Sequence, residues 1–145
     1  MIVLDTNVVS EVLRPRPDAN VVNWLESITD DVAITAITLA ELLAGLRRLP
    51  DGKRKSELSA QVETALRPYR DTGAILAFDA LAAPHYADIL AERQAIGLPI
   101  STGDAQIAAI CRARGAVCAT RNTKDFRSTG ITLIDPWVGA SPSAS

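Results

Sequence analysis

Short apolar runs alternate along this chain with longer stretches in which apolar residues recur every three or four positions. The chain opens on "MIVL", a buried-strand pattern that stops abruptly at Asp5. A short helical stretch around Val8 to Leu13 follows and is closed by "RPRPD", where Pro15 and Pro17 cannot continue a helix. Asp18 or Asn20 can cap the next helix, which carries Val21, Val22, Leu25 and Ile28 on one face. "DVAITAI" is β-branched and apolar and predicts a second strand. "TLAELLAGLRRLP" predicts a helix ended by Pro50, with "DGK" as a turn. Leu58, Val62, Leu66 and Tyr69 keep helical spacing through "SELSAQVETALRPYR". "AILAFD" predicts a third strand and "ALAAPHYADILAERQAIG" a helix closed by Gly97. "GDAQIAAICRARG" is one more helix, and "AVCAT" and "ITLID" supply the last two strands.

Strands that alternate with helices imply right-handed crossovers and a parallel sheet covered on both faces. The expectation is one domain over residues 1–137, a three-layer α/β/α sandwich with a central, mostly parallel sheet. Residues 138–145 form a small polar tail with nothing to bury, expected to be disordered. A length of 145 residues suits that single domain. Aromatics make up only 4% of the chain, so the core must be aliphatic. The net charge of −2 argues against a protein that grips nucleic acid by bulk charge, but leaves room for a local basic rim. Cys111 and Cys118 sit beside apolar neighbours, with no secretory pattern before them and no run long enough to span a membrane. That combination predicts two reduced thiols in a cytoplasmic protein.

Open parallel sheets bind ligands in the crevice at the carboxyl ends of their strands, so the polar residues falling there matter most. Asp5 ends the first strand, and Glu41 lies early in the helix after the second. Asp104 sits at the start of "GDAQIAA", and Asp125 follows "AVCATRN". Each has a local use as well. Thr38 to Glu41 and Ser101 to Asp104 both fit a capping box, Asp5 can form an Asx-turn, and Asp125 can cap a turn before Phe126. What raises the functional reading is that all four fall at one edge. Two carboxylates about 4 Å apart repel by about 4 kcal/mol at an effective dielectric near 20. A divalent cation removes that repulsion, and all-oxygen ligation favours Mg²⁺ or Mn²⁺, with no Cys/His cluster offering a zinc alternative. Such a pocket reads as a metal-dependent phosphodiesterase site.

"LDTN", "ITLAELLAG", "GDAQIAA" and "ATRNTKDF", in that order, resemble the four signature segments of PIN-domain nucleases, and more narrowly the VapC and FitB type toxins of toxin–antitoxin pairs. The likeness runs from Met1 to about Trp137. It implies a Mg²⁺- or Mn²⁺-dependent endoribonuclease held inactive by a small cognate antitoxin, and a homodimer that binds two antitoxins as a heterotetramer or larger assembly. Asp5, Glu41, Asp104 and Asp125 match the acidic quartet. In the family the positions of Asp5 and Asp104 are the most direct metal ligands, while Glu41 and Asp125 complete the pocket directly or through water. Thr6, Asn7 and Asn122 match polar positions that would orient carboxylates and water. The resemblance also implies that part of the apolar surface of the early helices, with Val21, Val22, Trp24, Leu25 and the Leu42 to Leu49 segment, forms a groove for an antitoxin helix.

Arg121, Lys124 and Arg127 flank Asp125 and are the candidates for RNA contact. The cluster Arg47, Arg48, Lys53, Arg54 and Lys55 reads rather as a solvated helix end and turn. His85, the only histidine, has no nucleophile beside it and reads as structural or surface, and Trp24 and Trp137 as packing or interface residues. Competing functions are a DNA or flap nuclease, and a non-catalytic regulatory module using the same acidic cleft. A phosphoaspartyl phosphatase would need D-x-D at the first strand, which "DTN" lacks. A receiver-type switch would need an acceptor Asp and a late strand-end Lys that cannot be placed here.

Overall fold

The computed structural model describes residues 1–138 together with the backbone of residues 143–144. In chain order these are β1 (Ile2–Leu4), α1 (Thr6–Val12), α2 (Ala19–Ser27), β2 (Val32–Thr35), α3 (Ala36–Arg47), α4 (Lys53–Asp71) and β3 (Ile75–Leu76). They continue with α5 (Ala82–Ala95), α6 (Thr102–Arg114), β4 (Val117–Ala119), α7 (Thr123–Phe126), β5 (Thr132–Ile134) and β6 (Ser143–Ala144). The strands lie in the order β3-β2-β1-β4-β5-β6, parallel from β3 to β5, with β6 antiparallel to β5. Apart from Val138 and β6, the polar tail expected at 138–145 lies outside the described residues.

The α/β/α layering follows from the period of two along each strand. Val3, Ala33, Leu76, Cys118 and Leu133 point to one face and pack with Ile89, Ala105, Ala108 and Cys111 of α5 and α6. Their neighbours Leu4, Ile34, Ala119 and Ile134 point to the other face, against Val8, Val21, Leu42, Val62 and Leu66 from the first four helices. Of the early-helix apolar residues, part of which the family resemblance assigns to an antitoxin groove, Val21 and Trp24 are core residues of this second layer. Both cysteines are free and buried.

Several boundaries differ from the sequence pattern, and caps explain them. The second strand stops at Thr35, because its hydroxyl accepts the Thr38 N–H at 3.1 Å and starts the helix there. Thr38 is therefore not the cap, and no capping box joins it to Glu41, which lies in the second turn. Asp5 likewise starts α1 earlier than Val8, its carboxylate accepting the Thr6 N–H. Asp18, rather than Asn20, caps α2. Beyond "AIL" the third strand gives way to a turn in which Asp79 accepts the Leu81 and Ala82 N–H groups. "TKDF" closes into a single helical turn.

Candidate active site

The strand order reverses between β1 and β4, so the chain leaves those two strands in opposite directions and opens a crevice at their carboxyl ends. Asp5 stands in that crevice, 5% exposed, its N–H bonded across the strands to Ala119 C=O at 2.9 Å. Its carboxylate is held from three sides. Oδ1 accepts the Thr6 N–H at 2.8 Å, and Oδ2 accepts the Thr120 hydroxyl at 2.8 Å and Asn7 Nδ2 at 3.1 Å. Asn7 also donates to Thr120 Oγ1 and accepts the Arg121 N–H, and Asn122 N–H donates to Thr120 Oγ1. Burial pushes the Asp5 carboxyl above its ordinary value and the nearby charge of Glu41 adds to this, while the three hydrogen bonds pull the other way.

Glu41 reaches the crevice from α3. Its Oε1 lies 2.9 Å from the Thr6 hydroxyl, which is also 3.1 Å from the hydroxyl of fully buried Thr38. Asp104 sits in the first turn of α6, where Ser101 caps the helix by accepting its N–H at 3.2 Å. Partial burial raises the Asp104 carboxyl, and the charges of Asp5 and Asp125 raise it further, against Ser101 and the positive charge of Arg93. Asp125 is carried by α7, its N–H bonded to Asn122 C=O. Asp5 thus senses Glu41, and Asp104 senses both Asp5 and Asp125. The four predicted acids share one electrostatic neighbourhood.

The donor set suits a hard cation, since every side chain converging here offers an oxygen and none a sulfur or an imidazole nitrogen. A carboxylate has about four lone-pair positions, and the three bonds to Asp5 leave one on Oδ1. Among the described residues, no three acidic, histidine or cysteine side chains are yet gathered around one point. Asp5 is held by three hydrogen bonds, whereas Asp104 and Asp125 are only partly buried.

Of the other predicted residues, Thr6 and Asn7 bond the carboxylates directly. Asn122 joins the network through its backbone N–H, since its side chain makes no cap bond. Arg121 lies over the ring of Trp137, 5.1 Å from its centroid, and Lys124 on α7 and Arg127 at its end are exposed. An open cleft of about 940 Å³ runs away from Thr6 and Glu41 between α1, α3 and α4, with Leu42, Leu46, Leu58 and Val62 as its apolar wall. Arg54 reaches that cleft, whereas Lys53 and Lys55 pair locally with Glu57 and Asp51 and Arg47 bonds Leu43 C=O.

Sequence reasoning missed Thr120 and Arg93. Thr120 ends an apolar run just as Asp5 does, and parallel pairing of those two runs would have set the residues side by side. Arg93 carried no comparable signal, although it is the one arginine of α5.

The comparisons with known proteins agree with this architecture. Residues 2–131 match the PIN domain, and the chain belongs to that family. Within it the chain is of the VapC and FitB type. It is 41% identical over 138 residues to Toxin FitB of Neisseria gonorrhoeae, covering 94% of this chain and 99% of that one. Over the same length it is 39% identical to VapC ribonuclease Y4jK of Sinorhizobium fredii, covering 94% and 98%. The crystal structure of FitAcB from Neisseria gonorrhoeae superposes with a TM-score of 0.87 at 40% identity, covering 94% of this chain and 99% of that chain.

Proposed function

We propose that the protein is a Mg²⁺- or Mn²⁺-dependent endoribonuclease toxin, hydrolysing RNA phosphodiesters at Asp5, Glu41, Asp104 and Asp125 and neutralised by a cognate antitoxin. The observation that carries the reading is the buried Asp5 carboxylate held at the sheet's switch point, with Glu41 bonded to the adjacent Thr6 hydroxyl and the charges of Asp5 and Asp125 acting on Asp104. Similarity to proteins named a ribonuclease and a toxin supports the substrate class and the partner.

In this reading Asp5 and Asp104 hold the ion, and Glu41 and Asp125 complete the pocket directly or through water. When bound, the ion would offset negative charge on the scissile phosphate and lower the pKa of water, so that hydroxide is available near neutral pH. Thr120, Asn7 and the Thr6 N–H keep the Asp5 carboxylate from rotating, and the Thr6 hydroxyl orients Glu41. No nucleophilic side chain is required. Arg121, Lys124 and Arg127 would meet the RNA backbone beside Asp125. The apolar wall of the cleft would take an amphipathic helix of the antitoxin, and a homodimer would carry two such partners.

The test is cleavage of single-stranded and structured RNA in Mg²⁺ or Mn²⁺, comparing wild type with Asp5→Asn and each with co-purified antitoxin. Loss of cleavage in the variant and suppression by the partner are expected. Cleavage indifferent to Asp5 would remove the assignment.

A further inference from the structure

Arg93 lies in the last turn of α5 and is only 4% exposed. A guanidinium withdrawn from water needs partners for its donors. Among the described residues none of these is an ion-paired carboxylate. The fork bonds three main-chain carbonyls instead: Nε to Leu98 at 2.7 Å, Nη2 to Pro99 at 3.5 Å, and Nη1 to Arg127. Leu98 and Pro99 belong to the chain that enters α6, just ahead of the Ser101 cap and Asp104. Arg127 is the residue on which α7 ends, two positions beyond Asp125.

An arginine serving only its own helix end would bond carbonyls there and stop. The bond to Arg127 belongs to a different part of the chain, 34 positions away. Directly after it, Ser128 is held at φ 60°, a left-handed conformation that a non-glycine residue keeps only where its surroundings fix it. One rigid, planar group thus grips the chain leading into α6 and the backbone two residues past Asp125, and its charge acts on Asp104 as well.

We infer that Arg93 is a positioning residue: it fixes the segment carrying Asp104 against the segment carrying Asp125, and so sets the gap across which these two acids face each other. The clamp is independent of the proposed chemistry, and only its consequence for a bound ion rests on the metal-nuclease reading. Arginine is needed because lysine keeps the charge but cannot reach both segments with a fixed fork.

The experiment compares the full-length protein with Arg93→Lys and Arg93→Met. Amide hydrogen exchange at Asp104 and Asp125 should quicken by roughly tenfold or more in both variants, while the Asp5 amide, bonded inside the sheet, stays as in wild type. The Kd for Mn²⁺, read from the electron paramagnetic resonance of the free ion, should weaken by about 10–100-fold. Exchange that rises equally at Asp5, or does not rise at Asp104 and Asp125, would overturn the inference. So would faster exchange at those two amides with an unchanged Mn²⁺ Kd. Should the Met variant fail to fold, the Lys variant decides. Wild type that binds no Mn²⁺ would sink the metal reading, and hydrogen exchange alone would then judge Arg93.

Discussion

The two halves of the acidic site are built by different means. On the strand side, Asp5 is nearly buried and its carboxylate receives three hydrogen bonds, from Thr6, Asn7 and Thr120. On the helix side, Asp104 and Asp125 are partly exposed, and what is held is the main chain beneath them, by the Ser101 cap and the Arg93 fork. The first half fixes a side chain and the second fixes a backbone. Under the proposed function, an incoming ion would meet one carboxylate already fixed by hydrogen bonds and two that are partly exposed, with like charges close together.

The contrast can be broken from the strand side with the largest effect. Asp5→Asn should lower metal-dependent RNA cleavage by roughly 10²–10³-fold in single-turnover assays, since it removes the anchoring charge. Thr120→Val keeps the shape but removes the hydroxyl between Asp5, Asn7 and Asn122. It should destabilise the protein by about 1–3 kcal/mol in urea unfolding and weaken Mn²⁺ binding about 10–100-fold. On the helix side Ser101→Ala removes the α6 cap and the hydroxyl beside the Asp104 carboxylate and should cost about 1 kcal/mol in the same measurement, so a larger loss than that of Thr120→Val would erase the distinction.

A gentler probe uses pH. The carboxyls of Asp5 and Asp104 are both raised, so the folded protein binds their protons more tightly than the unfolded chain does. The stability this gives is full below the ordinary carboxylate value and is lost as pH rises through the raised folded values. Asp104→Asn should flatten that decline and raise the Tm of the ion-free protein at pH 7 by about 1–3 °C, followed by calorimetry. A lower Tm would mean that the ionised carboxylate is needed for the fold. Smallest of all is the rim. Lys124→Ala should reduce the slope of log affinity against log salt for single-stranded RNA by about 0.7 without moving Tm. An unchanged slope would take Lys124 out of the RNA path.

How much of this could be read in the sequence depended on whether a feature was local. The apolar period located every strand of the parallel sheet and nearly every helix, because burial on two faces or along one stripe leaves a repeat in neighbouring residues. It misjudged the ends of β2 and β3, where Thr35 and Asp79 stop the strand by bonding backbone N–H groups a few residues on. Asp5, Asp104 and Asp125 were legible as polar residues at element ends, Glu41 as an acid early in the helix after a strand, and Thr6 and Asn7 by adjacency to Asp5.

What the chain determined by itself, then, is an alternating α/β domain with acids at the exits of its strands. Only the tertiary structure decided which strands are neighbours. Placing β1 beside β4 brings Thr120 onto a carboxylate 115 positions away, and packing α5 against α6 brings Arg93 onto the Arg127 carbonyl 34 positions away. Those bonds depend on register and on buried charge seeking partners, and neither leaves a trace in local periodicity.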